Sequence, residues 1–194
     1  MKLFPGVPPF QRWMMATTFV VVAVYSISQN KSSLVEAAQT KLSSPSPRII
    51  DGDTVDFPNG RVRVVGIDAP DDDRPQLKVL ASEALRGLAA RDGGLTCSVS
   101  LFDYALRREE QCRSSPKSYG RLNLSCRFIR NNASVGATMV AQGYAVDYRA
   151  YSGGAYMDLM RDAAERRAGL WGIDYNRMRE LAIQRARLPA GCSK

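Results

Sequence analysis

The order of the periodic patterns is the feature that most constrains how this chain can fold. Strand-like alternation at 54–57 and 61–65 flanks Pro58-Asn59-Gly60, which is a hairpin turn signal. An amphipathic helical pattern follows at 77–90. Further elements are then predicted as strands at 96–102 and 121–129, helices at 135–142 and 156–167, and a Leu170-Trp171 core cap. Strands followed by an inserted helix, and then by more strands and helices, predict an α+β domain: a small five-stranded β-barrel with about three helices.

The N-terminal region has the pattern of a targeting segment. Within residues 1–28, a positively charged start precedes an apolar run at 13–27, and the small residues Ser26 and Ser28 have the spacing of a signal cleavage site. A signal peptide and an uncleaved membrane anchor both fit this pattern. Residues 29–47 are rich in Ser and Pro and are predicted to be an extended linker. Either interpretation of the leader predicts a body outside the cytoplasm: secreted, periplasmic or anchored by this segment.

The absence of histidine and the net positive charge limit the mechanisms and partners that this chain can have. The chain of 194 residues contains no histidine, which excludes Ser-His-Asp and Cys-His hydrolases and HExxH zinc sites. A metal site would need oxygen or thiolate ligands, and oxygen ligands favour Ca²⁺, Mg²⁺ or Mn²⁺. The net charge of +8 favours a polyanionic partner such as nucleic acid.

Four cysteines allow three disulfide pairings, and an oxidising compartment favours their use as disulfides. Cys97 and Cys126 lie on successive predicted strands joined by the 103–118 loop, and successive antiparallel strands usually pair. We therefore predict a disulfide between Cys97 and Cys126, which leaves Cys112 with Cys192. The alternative, if the compartment is reducing, is four buried thiols.

Short motifs in a fixed order carry the functional signal. They are Asp51-Gly52-Asp53-Thr54, Arg63 with Asp68-Ala69-Pro70-Asp71, Tyr119-Gly120-Arg121, Met139-Val140-Ala141-Gln142-Gly143 and Gly169-Leu170-Trp171. On these motifs, from about Arg48 to Trp171, the chain resembles the staphylococcal nuclease (thermonuclease) family. The resemblance predicts a nuclease domain at 48–172 and leaves 173–194 as a basic C-terminal extension.

The resemblance implies an OB-type barrel and Ca²⁺-dependent hydrolysis of phosphodiester bonds in DNA and RNA, with Mg²⁺ or Mn²⁺ as alternative cations. It implies that the products end in a 3′-phosphate. It also implies roles for individual residues: metal ligation by the carboxylates of Asp53 and Asp68 and the carbonyl of Ala69, phosphate binding by Arg63 and Arg121, general-base action by Asp71, and lining of the nucleotide pocket by Tyr148 and Tyr151.

These residue types suit the chemistry. A phosphodiester is anionic, and two arginine forks can neutralise its oxygens bidentately. A hard cation held by oxygen ligands supplies further charge neutralisation and positions water. The family has Glu where this chain has Asp71, so the carboxylate is withdrawn by ~1.5 Å, and a misplacement of ~1 Å can cost ~10²-fold in rate. Asp72 and Asp73 are alternatives for the base.

Three functions are compatible with the sequence. The first is a monomeric nuclease that acts on DNA or RNA and touches a membrane only through its N-terminal segment. The second is a noncatalytic module that binds nucleic acid or another polyanion. The third is an interaction or scaffold protein of the cell envelope that uses the barrel only structurally. The arginines of the tail, including Arg177, Arg179 and Arg185, are predicted to lie on a solvated peripheral helix.

Overall fold

The computed structural model describes residues 41–99, 117–118 and 120–188. The predicted leader at 1–28, most of the predicted loop at 103–118, and Cys112 and Cys192 lie outside these residues. Within the described ranges, no helix is both long enough and apolar enough to cross a membrane.

The body is built on a curled sheet that forms a half-barrel. The strands are β1 (Lys41–Ser44), β2 (Arg48–Ile49), β3 (Thr54–Phe57), β4 (Gly60–Val64), β5 (Ile67–Asp68), β6 (Leu95–Ser98), β7 (Lys117–Ser118), β8 (Arg121–Phe128) and β9 (Val146–Asp147). The main path of the sheet has six strands in the order β1-β6-β8-β4-β3-β2, with β7 added beside β8, and β5 pairs separately with β9. The β4–β8 pair is parallel and the other pairs are antiparallel.

Side-chain alternation explains how the sheet encloses the core. In β4, Val62 and Val64 are buried while Arg61 is exposed, as the sequence predicts. In β8, Leu124 and Phe128 are likewise buried. Because successive side chains of a strand point to opposite faces, each of these strands contributes one apolar face to the core.

Helices cover the core. In α1, Pro75 stands at the first helical position, where its missing N–H costs nothing, and Leu77 and Leu85 point into the core. Ser134 caps α2, since its Oγ accepts a hydrogen bond from the backbone N–H of Ala137 at 3.2 Å. The helices are α1 (Pro75–Arg91), α2 (Val135–Ala141), α3 (Arg149–Ser152), α4 (Met157–Glu165), α5 (Leu170–Ile173) and α6 (Tyr175–Ala186).

The predicted α+β class is confirmed. The sequence predicts five strands and about three helices, whereas the described residues form nine strands and six helices. One added strand, β1, lies in the predicted linker at 29–47 and pairs with β6, so the linker prediction is wrong at its C-terminal end. Leu42 explains the difference, because it is 9% exposed and gives this serine-rich stretch an apolar side chain to bury.

The C-terminal helix also differs from its prediction. The sequence predicts a peripheral helix within the 173–194 extension, but Met178 and Leu181 of α6 are buried in the same core as the strands of the sheet. These side chains lie three residues apart and form an inward-facing stripe. Helix α6 is therefore part of the folded body.

A disulfide joins Cys97 of β6 to Cys126 of β8, so the predicted pairing is confirmed. The two residues are direct partners in the antiparallel register, and both are buried. The disulfide closes the segment that contains the 103–118 loop.

Candidate active site

An open cleft of about 260 Å³ collects most of the predicted site residues. Its wall includes Arg63 from β4, Asp68 from β5 and Arg121 from the start of β8. Asp71, Tyr148 and Tyr151 line the same cleft. Asp53 and Ala69 are buried and do not line the cleft, but Arg63 donates a hydrogen bond to Asp53, and the backbone N–H of Ala69 donates another to Asp53.

The Asp51-Gly52-Asp53 loop is held against helix α1, which fixes the position of Asp53. A Cβ atom added to Gly52 would lie 2.7 Å from the Cβ atoms of both Ala69 and Ala81. Only glycine fits at this close approach. The loop is closed further by a hydrogen bond from the backbone N–H of Asp53 to Asp51 Oδ1, at 3.1 Å.

Arg63 holds the Asp53 carboxylate through both of its terminal nitrogens. Nη1 donates to Asp53 Oδ1 at 3.0 Å, and Nη2 lies 2.9 Å from Oδ2. Oδ1 also accepts from the Thr54 hydroxyl, and Oδ2 accepts from the backbone N–H of Ala69, each at 2.9 Å. This bidentate arrangement satisfies a carboxylate that is almost fully buried.

Arg63 also contacts the second carboxylate, so one guanidinium bridges Asp53 and Asp68. Its Nη2 pairs with Asp68 Oδ1. The other oxygen, Oδ2, accepts a hydrogen bond at 2.6 Å from Nε of Arg185, which comes from α6. All four oxygens of the two carboxylates are thus paired with donors of the protein.

Burial and charge set the protonation of this group. Burial raises the pKa of Asp53 to about 7, and the Asp68 and Asp51 carboxylates add to the rise while Arg63 opposes it. Burial acts to lower the pKa of Arg63, but the Asp53 and Asp68 carboxylates outweigh it and raise that pKa. Arg63 therefore stays charged, and it is the cation that stabilises the ionised form of Asp53.

Arg121 and Asp71 complete the polar wall. Arg121 Nη1 donates to Thr54 Oγ1 at 3.2 Å, which ties the start of β8 to the aspartate loop. Asp71 is largely exposed and pairs with Lys78 Nζ at 3.2 Å. Partial burial acts to raise the pKa of Asp71, but the bonds from Lys78 and from the Asp72 backbone N–H hold it below its ordinary value. Asp71 is therefore ionised at neutral pH.

The two predicted tyrosines line the cleft and lie next to each other. Their rings meet edge to face with centroids 4.9 Å apart. The guanidinium of Arg185 lies over the ring of Tyr148, 5.0 Å from its centroid. One face of Tyr148 is therefore covered by a cation, and a base would need another surface of the pair.

The Asp53 and Asp68 carboxylates offer the oxygen ligands that hard cations prefer, and they converge on one point. Asp53 Oδ2 and Asp68 Oδ1 both contact one atom, Arg63 Nη2, so they already meet at a point that carries positive charge. The described residues contain no group of three or more His, Cys, Asp or Glu side chains that could hold a metal ion.

Arg185 is the site residue that the motifs do not identify. Its side chain lies in the cleft with Arg63, although 117 residues separate it from Asp68 in the chain. The available signal is its helical spacing, since Met178, Leu181 and Arg185 stand at i, i+3 and i+7 on one face.

A comparison with profiles of known protein families finds no match to this chain. A comparison with curated protein sequences finds no match either.

Proposed function

We propose that this protein is a Ca²⁺-dependent phosphodiesterase that cleaves DNA and RNA, of the staphylococcal nuclease type, and that its half-barrel is the OB-type barrel of that family. The observation that carries the proposal is the meeting of two buried carboxylates at Arg63, in a cleft that Arg121 also lines. Buried carboxylates that share a cleft with arginines are the groups that phosphoryl chemistry requires.

In this mechanism the arginines bind the substrate phosphate. Asp53, Asp68 and the Ala69 carbonyl would hold the cation, which neutralises phosphate charge and activates water when bound. Arg63 and Arg121 donate to the non-bridging oxygens and stabilise the extra charge that develops as water attacks. Asp71 orients the water and accepts its proton, but its low pKa makes it a weak base. As the water oxygen bonds to phosphorus the P–O5′ bond breaks, and the departing 5′ oxygen takes a proton from solvent, which leaves a 3′-phosphate and a 5′-hydroxyl.

The disulfide and the predicted N-terminal targeting segment support a location in an oxidising compartment. A disulfide in a domain of this size is typical of an oxidising compartment. We propose a monomer that acts outside the cytoplasm, secreted, periplasmic or anchored, with any membrane contact made through the N-terminal segment.

A noncatalytic nucleic-acid-binding module is the second candidate, and one observation favours it. Every oxygen of the Asp53 and Asp68 carboxylates is already paired, and Asp71 is paired with Lys78. Cation binding must therefore displace or share contacts that the arginines now make. If that exchange is unfavourable, the cleft binds phosphates without cleaving them.

Cleavage assays separate the two candidates. The purified full chain, disulfide intact, would be incubated with single-stranded DNA and with RNA in Ca²⁺, Mg²⁺, Mn²⁺ or chelator. Asp53→Ala and Arg63→Ala remove the proposed chemistry. Arg61→Ala is the matched control, because Arg61 lies on the same strand but pairs with Asp56 outside the cleft.

The nuclease proposal predicts cation-dependent cleavage that both site variants lose and Arg61→Ala keeps. Salt-sensitive binding without cleavage in any cation would support the second candidate instead.

A further inference from the structure

The guanidinium of Arg185 reaches the cleft because the core contacts of α6 carry it there. Met178 and Leu181 are buried, and Arg185 follows them on the same helix face. Its Nε donates to Asp68 Oδ2 at 2.6 Å, and its Cζ lies over the Tyr148 ring. Two contacts from different strands and loops therefore fix the position of the side chain.

These contacts leave hydrogen-bonding capacity on Arg185. A guanidinium carries five N–H donors, and the bond to Asp68 uses only the one on Nε. Within the part of the chain that the structure describes, no acceptor pairs with the Nη groups of Arg185. The side chain is 34% exposed, against 17% for Arg63, so its remaining donors are accessible from the cleft.

The balance of charges in the cleft also favours the binding of an anion by Arg185. Arg63 is matched by two carboxylates, so much of its charge is compensated within the protein. Arg185 shares only Asp68, which Arg63 already contacts. The α6 side of the cleft thus presents positive charge and a planar fork of donors, which is the arrangement that phosphate oxygens accept best.

We propose that Arg185 is a substrate-binding residue, which holds a second backbone phosphate beside the one that Arg63 and Arg121 bind. The ligand is a single strand, because Tyr148 and Tyr151 offer aromatic surface next to the guanidinium, on which unpaired bases can stack. This assignment rests on the proposed function for the identity of the polyanion. It makes helix α6 a part of the binding site and not an appendage.

Binding measurements on the full chain test the proposal without requiring turnover. A fluorescein-labelled oligothymidylate would be titrated by anisotropy in chelator, over a range of salt concentrations, with wild type, Arg185→Gln, Arg185→Lys and Arg179→Gln. Arg179 is the matched control, since it is exposed on the same helix and does not line the cleft. Circular dichroism melting of each variant reports any change in helix packing.

Arg185→Gln should weaken binding about tenfold, as expected for loss of a charged hydrogen-bonded contact. The slope of log K against log salt should fall by about 0.7 with the loss of one phosphate contact. Arg185→Lys should keep the wild-type slope with intermediate affinity, and Arg179→Gln should match wild type in both. A residue that only docks the helix would lower the melting temperature and leave the slope unchanged.

Equal affinity and equal salt slope for Arg185→Gln and Arg179→Gln would overturn the proposal, as would an absence of wild-type binding at the lowest salt. Cleavage in Ca²⁺ is scored in parallel, so the two proposals can fail separately. Arg185-dependent binding without cleavage refutes the nuclease and supports Arg185. Cleavage that Arg185→Gln leaves unchanged, with unchanged binding, supports the nuclease and refutes Arg185.

Discussion

Removing the Cys97–Cys126 disulfide should destabilise the body by a predictable amount. The bond joins residues 29 positions apart, and both sulfurs belong to the buried core. Loop-closure entropy for a cross-link of this span corresponds to roughly 3–4 kcal/mol at 25 °C. Since small domains have total stabilities of about 5–15 kcal/mol, the reduced protein should lose a large fraction of its stability.

The assay is denaturant unfolding followed by far-ultraviolet circular dichroism, with and without reductant. A Cys112→Ala/Cys192→Ala background leaves only the described pair, so that reduction acts on one disulfide. The Cys97→Ala/Cys126→Ala variant in that background is the control, and reductant should not change its midpoint. Equal midpoints for the oxidised and reduced forms of the two-cysteine protein would refute the reasoning.

Three further changes have expected outcomes of their own. Gly52→Ala should lower the free energy of unfolding, because the added Cβ would lie 2.7 Å from two methyl groups. Gly87→Ala should raise it by about 1 kcal/mol, because nothing lies within 4 Å of the added Cβ and alanine favours the helix. Urea unfolding that shows the same sign for both changes would contradict this packing. Burial raises the pKa of Asp53 from 3.8 to about 7, so wild type should lose stability as pH rises through that window, and Asp53→Asn should not. The free energy of unfolding of Asp53→Asn relative to wild type should therefore rise as the pH increases from 4 to 7. A stability difference that does not change with pH would count against the raised pKa of the buried carboxylate. Asp71→Glu should raise the cleavage rate, by up to ~10²-fold, because the shorter side chain withdraws the carboxylate from the water; an unchanged rate would show that the length of this side chain does not limit cleavage.

Local patterns predicted the elements whose own residues determine their structure. The alternation around Val62 and Val64, the turn at Pro58-Asn59-Gly60 and the helical spacing from Leu77 all gave elements close to those observed. The disulfide followed from one topological rule, that successive strands usually pair. The motifs likewise located the aspartates and arginines that the fold brings together in the cleft.

Long-range contacts account for what the sequence did not predict. Strand β1 is formed by a serine-rich stretch that has a partner only because the edge of β6 is available. The predicted solvation of the tail rested on its arginines and overlooked Met178 and Leu181, which bury α6. The pairing of Asp68 Oδ2 depends on Arg185, which lies 117 residues away along the chain, so no local pattern predicts the contact.

Product analysis of a single-stranded oligonucleotide incubated with the purified protein in Ca²⁺ tests the central claim most directly. Mass spectrometry should show shortened fragments that end in a 3′-phosphate, formed by wild type and by Arg61→Ala. The fragments should be absent in chelator and with Arg63→Ala. An intact oligonucleotide after prolonged incubation with a folded, disulfide-bonded protein would contradict the account, as would fragments that Arg63→Ala produces equally well.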